Sequence, residues 1–201
     1  MNVDARAGIP PYAELRCMSN FSFLQGASWP EELVERAHEL GYSALALVDD
    51  CSLAGAVRAH VEAKKRGLKL IHGSQFSVDG DAPFTLIVLA CDRTGYGNLC
   101  EFVTTLRRAA PKGSYCLHID DIDPGALDGC VVLASPHRES TDAQLERIAR
   151  WLLAGFTGRC WLAVEMYRLL DDEMWLHRLR QVGELTAIPL VASGDVRMHR
   201  R

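Results

Sequence analysis

The chain lacks most of the features that announce a function at first sight. No apolar run approaches the ~20 residues a membrane-spanning helix needs. The opening MNVDARAGIPP is polar and ends in proline, without the basic and apolar stretches of a secretory leader. Seven cysteines (17, 51, 91, 100, 116, 130 and 160) include no CxxC pair, so neither a zinc ribbon nor a dithiol redox motif is spelled out. Cys130 in GCVVLA and Cys160 in CWLAV sit inside apolar runs, as buried thiols do in a reducing compartment; a cytosolic location is expected. Positive charge is also in short supply. Lys and Arg number 22 against 26 Asp and Glu, a net charge of −4, which excludes a generic polyanion binder working by phosphate neutralisation. Lys64-Lys65-Arg66 and Arg107-Arg108 read as solvated helix ends. No glycine-rich phosphate loop is present: GYGNLCE (95–101) comes nearest, but it lies in a helical pattern and lacks the GxGxxG spacing. DDIDPGALD (120–128) lacks calcium-loop spacing and reads as a turn and helix cap.

What is present is an alternation of strand-like and helix-like segments. A chain of 201 residues with 48% hydrophobic content is long enough for one sizeable core. Short apolar runs predict strands over 13–18, 43–48, 68–72 with 75–78, 84–90, 130–134, 160–166 and 188–193. Helices are predicted over 30–40, 53–66, 95–108, 141–154 and 172–186, with a short helix after Asp120. The first starts with Ser28 as cap and Pro30 in its first turn, and stops at Gly41. The second places Leu53, Ala56, Val57 and Val61 on one apolar face. Trp151, Trp161 and Trp175 are expected in the core, and Trp29 as a staple on the first helix.

Such alternation implies a mainly parallel sheet, and the missing phosphate loop favours a barrel. Its working face is then the carboxyl end of the strands, which collects Arg16-Cys17-Met18, Asp49-Asp50-Cys51, His72 to Gln75, and Asp195 with Arg197. Residues two apart share a side of a strand, so Arg16 with Met18, and Asp195 with Arg197, are placed to join one ring. His38, His60 and His177 are expected to face solvent and His72 to be a satisfied structural histidine. His118, His137 and His199, in loops or at a frayed terminus, show no familiar ligand spacing with Cys17 or Cys51.

Five segments, ELRCMSNFSFLQGAS, ALALVDDCSLAGAV, GLKLIHGSQFSV, DRTGYGNL and IPLVASGDVRMHRR, occur in the order and at the intervals of the PHP (polymerase and histidinol phosphatase) domain. The chain resembles that family from about residue 12 to its last residue. This domain opens bacterial C-family DNA polymerases, the replicative polymerase III alpha subunits and their error-prone relatives. SNFSFLQGAS, DDCSLAGA and SGDVRMHRR are closer to the error-prone, damage-inducible ImuC-type branch. The resemblance implies a distorted seven-stranded (β/α)7 TIM-like barrel over 12–201, a disordered segment over 1–11, and a polymerase body beyond residue 201.

The resemblance also implies a metal site with its ligands replaced. The family's paired histidines fall on Arg16 and Met18, the aspartate before the glycine turn on Gln25, the next histidine on Asp50, a glutamate on Gln75 and a cysteine near Pro136. The closing aspartate and histidine fall on Asp195 and Arg197; only Asp195 keeps its type. Arginine repels a cation, glutamine is a weak donor and a thioether is too soft for a hydrolytic metal. Arg16 and Arg197 are therefore expected to neutralise Asp50, Asp195 or Asp49 directly. The implied function is a metal-free, catalytically inactive domain, with no cofactor of its own, inside a translesion polymerase that uses Mg2+. Its implied partners are the rest of the polymerase chain, an ImuB-like inactive Y-family protein and the sliding clamp, with DNA bound only by the full-length enzyme and no membrane. The competing readings are a metal-dependent phosphoesterase or 3′–5′ proofreading exonuclease, and a free-standing interaction module.

Overall fold

The computed structural model describes residues 11–200. The disorder expected of residues 1–11 lies, apart from Pro11, outside the described residues. Seven strands, β1 (Ala13–Cys17), β2 (Ala44–Asp50), β3 (Lys69–Val78), β4 (Phe84–Ala90), β5 (Cys130–Pro136), β6 (Cys160–Glu165) and β7 (Leu190–Ser193), form one sheet in chain order. Five helices, α1 (Pro30–Glu39), α2 (Ala56–Arg66), α3 (Arg93–Ala109), α4 (Asp142–Gly155) and α5 (Asp172–Thr186), pack outside it. Two short 3-10 turns, Ile119–Asp121 and Pro124–Leu127, occupy the stretch expected to hold a short helix.

The sheet is parallel except around β4, which runs antiparallel to both β3 and β5. The link 79–83 between β3 and β4 is too short for a crossover, so the chain must turn back as a hairpin. The two apolar pieces 68–72 and 75–78 are one strand. Gly73 continues it because its backbone meets β4 too closely for a side chain: an added Cβ would lie 2.6 Å from Val88 O. The seam between β1 and β7 is nearly closed, with Met18 N–H donating to Val196 O and Val196 N–H to Arg16 O, each at 2.9 Å. The buried Glu14 carboxylate reinforces that seam by accepting from Gly194 N–H at 3.0 Å and Arg16 N–H at 2.8 Å.

Inside the barrel, Ala46, Val48, Ile87, Leu89, Leu133 and Ala163 form a small apolar core joined by Leu15, Ile71 and Trp161. Alternation sends the neighbouring residues outward. There Leu45 and Leu47 meet Leu33, Val34 and Ala37 of α1 and Ala59 and Ala63 of α2, and a larger cluster lies under α3, α4 and α5. The predicted apolar face of α2 is met by Leu53 and Ala56, which pack inward, and missed at the two valines. Its buried residues are Ala56, Ala59 and Ala63, while Val57 and Val61 are 73% and 61% exposed. Small alanines let the helix backbone approach the sheet.

Other local expectations also shift. The N-cap of α1 is Trp29, whose N–H is accepted by Glu32 at 2.8 Å, and Gly41 takes the left-handed C′ position at φ 68°. Ser28 instead holds the end of the chain: its Oγ accepts from His199 N–H at 2.9 Å and lies 2.7 Å from His199 Nδ1. Residue 199 is therefore tied down rather than frayed. Trp29 is exposed under the Arg58 guanidinium, 4.4 Å from the ring centre, and so does not staple the helix. Trp175 is buried, and Trp151 and Trp161 are half-buried. Arg107 is not a solvated helix end, since it donates to Asp50 O at 3.0 Å and Cys51 O at 3.1 Å. No described helix is long and apolar enough to cross a membrane.

Candidate functional site

The carboxyl ends of the parallel strands, with the amino end of β4, frame the barrel mouth. The register of β1 against β2 slips between Glu14 and Cys17. This bulge lets Leu15 pack in the barrel interior while the next residue, Arg16, still reaches across the mouth. Arg16 is 6% exposed, and its partners come from four other places on the rim. Its Nη1 donates to both oxygens of Glu165 (β6) at 2.9 Å and to Ser135 Oγ (β5) at 3.2 Å, and its Nε to Gln75 Oε1 (β3) at 2.9 Å. The single Nε hydrogen is committed to Gln75. Asp195 Oδ1 therefore sits 3.3 Å from Nε in charge contact and finds no hydrogen-bond donor.

The surrounding groups complete this network. Glu165 also accepts from Ser135 O–H at 3.0 Å and Tyr167 O–H at 2.7 Å. Arg197 directs Nε and Nη2 to Asp195 Oδ2 at 3.1 and 2.9 Å. Burial by itself would lower the Arg16 pKa, but the facing carboxylates of Glu165 and Asp195 outweigh it and hold the guanidinium above its ordinary value. Tyr167 is pushed up by burial and by Glu165. Above the network lies a cleft of about 280 Å³, lined by Arg16, Thr85, Ser135, Arg138, Glu165 and Asp195 among others.

The residues named from sequence divide into two groups. Arg16, Gln75, Asp195 and Arg197 come together, and Pro136 lines the same cleft. Met18 is fully buried beside them in sequence, with its N–H on Val196. Gln25, by contrast, is exposed in the β1–α1 turn. Of the three aspartates named as counter-charges to Arg16 and Arg197, Asp195 faces both, whereas neither Asp49 nor Asp50 meets an arginine side chain through its carboxylate. Asp49 accepts from Ser19 N–H at 2.8 Å and from the hydroxyls of Ser19 and Ser22. Asp50 accepts from Tyr115 O–H at 2.7 Å. The Asp49 contacts fold the loop after β1 back over the end of β2. Gly26 is required there, because a Cβ would lie 2.0 Å from Ser19 O.

His72 is neither at a strand end nor satisfied. It lies within β3, packs between His60 and Tyr96 at ring separations of 5.8 and 5.6 Å, and its buried Nδ1 has no partner. Burial, then His60, lowers its pKa. His38, His60, His118, His137 and His177 are exposed.

Glu165 is the residue the sequence reading missed. Its signal was an ionisable residue closing the apolar run CWLAVE, in the same alternation as Trp161 and Ala163 and therefore aimed at the mouth. The donor set does not fit a hydrolytic metal. Among the described residues no group of three or more His, Cys, Asp or Glu is placed to hold one. The two carboxylates that do converge are aimed at a guanidinium.

Comparison with known proteins agrees with this architecture. The family profile described as PHP domain matches residues 14–153. The chain is 52% identical over 196 residues to an error-prone DNA polymerase of Dechloromonas aromatica, covering 95% of this chain and 18% of that protein. It is 49% identical over 190 residues to one of Methylococcus capsulatus, covering 94% and 18%. The chain thus spans about a fifth of the length of these curated relatives. Among solved structures, an amidohydrolase from Chromobacterium violaceum, with bound sulfate and no metal, superposes with TM-score 0.73 at 17% identity over 92% of this chain and 87% of that one. A protein of Bifidobacterium adolescentis described as a metal-dependent phosphoesterase gives 0.69 at 15% identity over 96% and 89%. At such identities these two speak to the fold alone.

Proposed function

The chain belongs to the PHP domain family, and from that premise we propose that it is a metal-free, catalytically silent member serving as an architectural part of an error-prone DNA polymerase. The observation that carries this reading is the buried Arg16 guanidinium, bonded to Glu165, Ser135 and Gln75 across the mouth. A positive group fixed there repels a divalent cation, and the oxygens that a cation needs are already turned to the arginine. Arg16, Met18, Gln25, Asp50, Gln75, Asp195 and Arg197 are then vestigial ligand positions. Asp50 keeps an oxygen donor but commits it to Tyr115. In the full-length enzyme, Mg2+-dependent nucleotide addition across damaged template belongs to the polymerase body. By the same reading an ImuB-like protein and the sliding clamp are partners of that enzyme.

Elemental analysis of protein purified without chelator tests the proposal, together with hydrolysis of phosphate esters and single-stranded DNA with and without EDTA. The expected result is substoichiometric zinc and manganese and no EDTA-sensitive cleavage. Near-stoichiometric metal, or cleavage abolished by EDTA, establishes the phosphoesterase or exonuclease reading instead. The variant carrying Arg16→His, Met18→His, Gln25→Asp, Gln75→Glu and Arg197→His should gain metal affinity over the parent. Equal affinity in both would remove the idea that those substitutions silenced the site.

A further inference from the structure

Away from the mouth, the helical layer has a gap. α2 leads into β3 and α3 follows β4, so the β3–β4 hairpin lays no helix of its own over the sheet. A cleft of about 760 Å³ lies there between α2 and α3. Its floor is the start of β3. Leu70 packs against the outer cluster and Ile71 against the interior one, so His72, two places after Leu70, faces outward into the gap. His60 of α2 and Tyr96 of α3 stand against it on either side, and the exposed Val57 extends the α2 wall.

The polar residues of this cleft do little for the fold. The buried His72 Nδ1 has no hydrogen-bond partner, whereas an apolar residue at that place would leave nothing unsatisfied. Arg93 opens α3, a cation set at the positive end of the helix dipole. It and Lys69 are exposed at the edge of the cleft, and among the described residues no carboxylate pairs with either. Asp92, beside them, turns its carboxylate to the helix, Oδ1 accepting from Gly95 N–H at 2.8 Å. Residues that cost stability and converge on one concavity mark a binding site.

The parts of the site set the chemistry of its ligand. Imidazole and phenol rings over an apolar floor suit a flat ring. Two unpartnered cations suit one doubly charged anion rather than a row of phosphates, and a phosphate monoester carries about −1.5 to −2 charges at pH 7. With Nδ1 sealed, the other edge of the His72 imidazole is the one left to the cleft, where it can hydrogen-bond a heterocycle. We infer that this cleft binds a mononucleotide, its base between His60 and Tyr96 over His72 and its phosphate at Lys69 and Arg93. The site is separate from the mouth and independent of whether the mouth holds a metal.

Isothermal titration of the chain with the adenosine, guanosine, cytidine and uridine 5′-monophosphates tests this, with adenosine and inorganic phosphate as the two halves of the ligand. At least one monophosphate should fill a single site, and adenosine and phosphate should each bind about tenfold more weakly or worse. Lys69→Gln and Arg93→Gln should each weaken the monophosphate several-fold. Arg108→Gln, exposed at the opposite end of α3, should leave it unchanged. His72→Leu should weaken binding and yet raise the unfolding midpoint of the free protein, a split that a merely structural histidine would not give. Absence of saturable binding by all four monophosphates overturns the proposal. So does adenosine or phosphate binding as tightly as the whole, or an affinity indifferent to Lys69→Gln and Arg93→Gln. A single-stranded oligonucleotide that binds through these residues while the monophosphates do not overturns it too, and identifies a nucleic-acid strand as the ligand.

Discussion

Replacing Arg16 by alanine isolates the interaction on which the mouth depends. The side chain is 92% buried and faces Glu165 and Asp195, whose side chains are 93% and 92% buried. Its removal leaves two carboxylates facing each other with water only partly able to enter. Breaking a buried ion pair by deleting one partner costs about 3–5 kcal/mol. Glu165 retains the hydroxyls of Ser135 and Tyr167 and Asp195 retains Arg197, which places this case at the lower end, about 3 kcal/mol. For a chain of this size that is a fall in Tm of roughly 6–12 °C. Arg16→Lys keeps the charge without the planar fork and should lose only about 1–2 kcal/mol. Urea unfolding of parent, both variants and the Arg16→Ala/Glu165→Gln double variant provides the measurement. The double variant should recover about 1 kcal/mol or more of the single loss. A change below about 0.5 kcal/mol would show that the arginine is an ordinary surface residue.

Three further outcomes follow from local geometry. Gly95→Ala should cost more than about 2 kcal/mol by urea unfolding, because its Cβ would lie 2.0 Å from Gly129 O, whereas Gly97→Ala, facing open space in the same helix, should stabilise by about 0.5–1 kcal/mol. In native protein a thiol reagent should modify the exposed Cys91 and Cys116 first and Cys100 more slowly. Cys17, Cys51, Cys130 and Cys160 should wait for unfolding, being buried with thiols pushed up by that burial, Cys51 and Cys130 to about 11; early labelling of Cys17 would contradict the closed seam. Burial raises the Glu14 pKa against the opposing N–H groups of Gly194 and Arg16, so the folded chain holds that proton to higher pH than the unfolded one. Its contribution favours folding below the ordinary carboxylate pKa of about 4.3 and is lost as pH rises through the raised value. Glu14→Gln should flatten that part of the stability–pH curve, and an unchanged slope would refute the assignment.

The fold was largely legible because its strands are short, apolar and separated by amphipathic helices. Where the reading slipped, a local fact was decided by a distant one. Gly73 and Ser74 look like a break, but Gly73 is where β4 presses on β3 and Ser74 Oγ donates to Asp49 O at 2.8 Å while accepting from Ser52 N–H. Val57 and Val61 carry the right period for a buried stripe, yet α2 turns its alanines inward. Periodicity alone does not choose between two faces that both contain apolar residues. His72 shows the same limit, since nothing in LKLIHG reveals that His60 and Tyr96 will stack on either side of it.

At the mouth, the arginines were legible and their partners only half so. Resemblance placed Arg16, Gln75, Asp195 and Arg197 together, and Asp50, Asp195 and Asp49 were all open as counter-charges; Asp195 is the one that faces the arginines. Alternation divides the pair 49–50: Asp49 is in register with Ser74 and Asp50 with Gln75, so the two side chains leave β2 on opposite faces and only Asp50 shares the face of Gln75. Asp49 turns to the hydroxyls of the β1–α1 loop. Asp50 is held by Tyr115. The remaining acid able to face a guanidinium over the barrel is the one that ends β6 in step with Trp161 and Ala163. Glu165 and Asp195 against Arg16 and Arg197 leave no net charge in the mouth. A buried arginine at a strand end therefore demands a carboxylate at the end of another strand, and the search for it belongs among apolar runs that close on an acid.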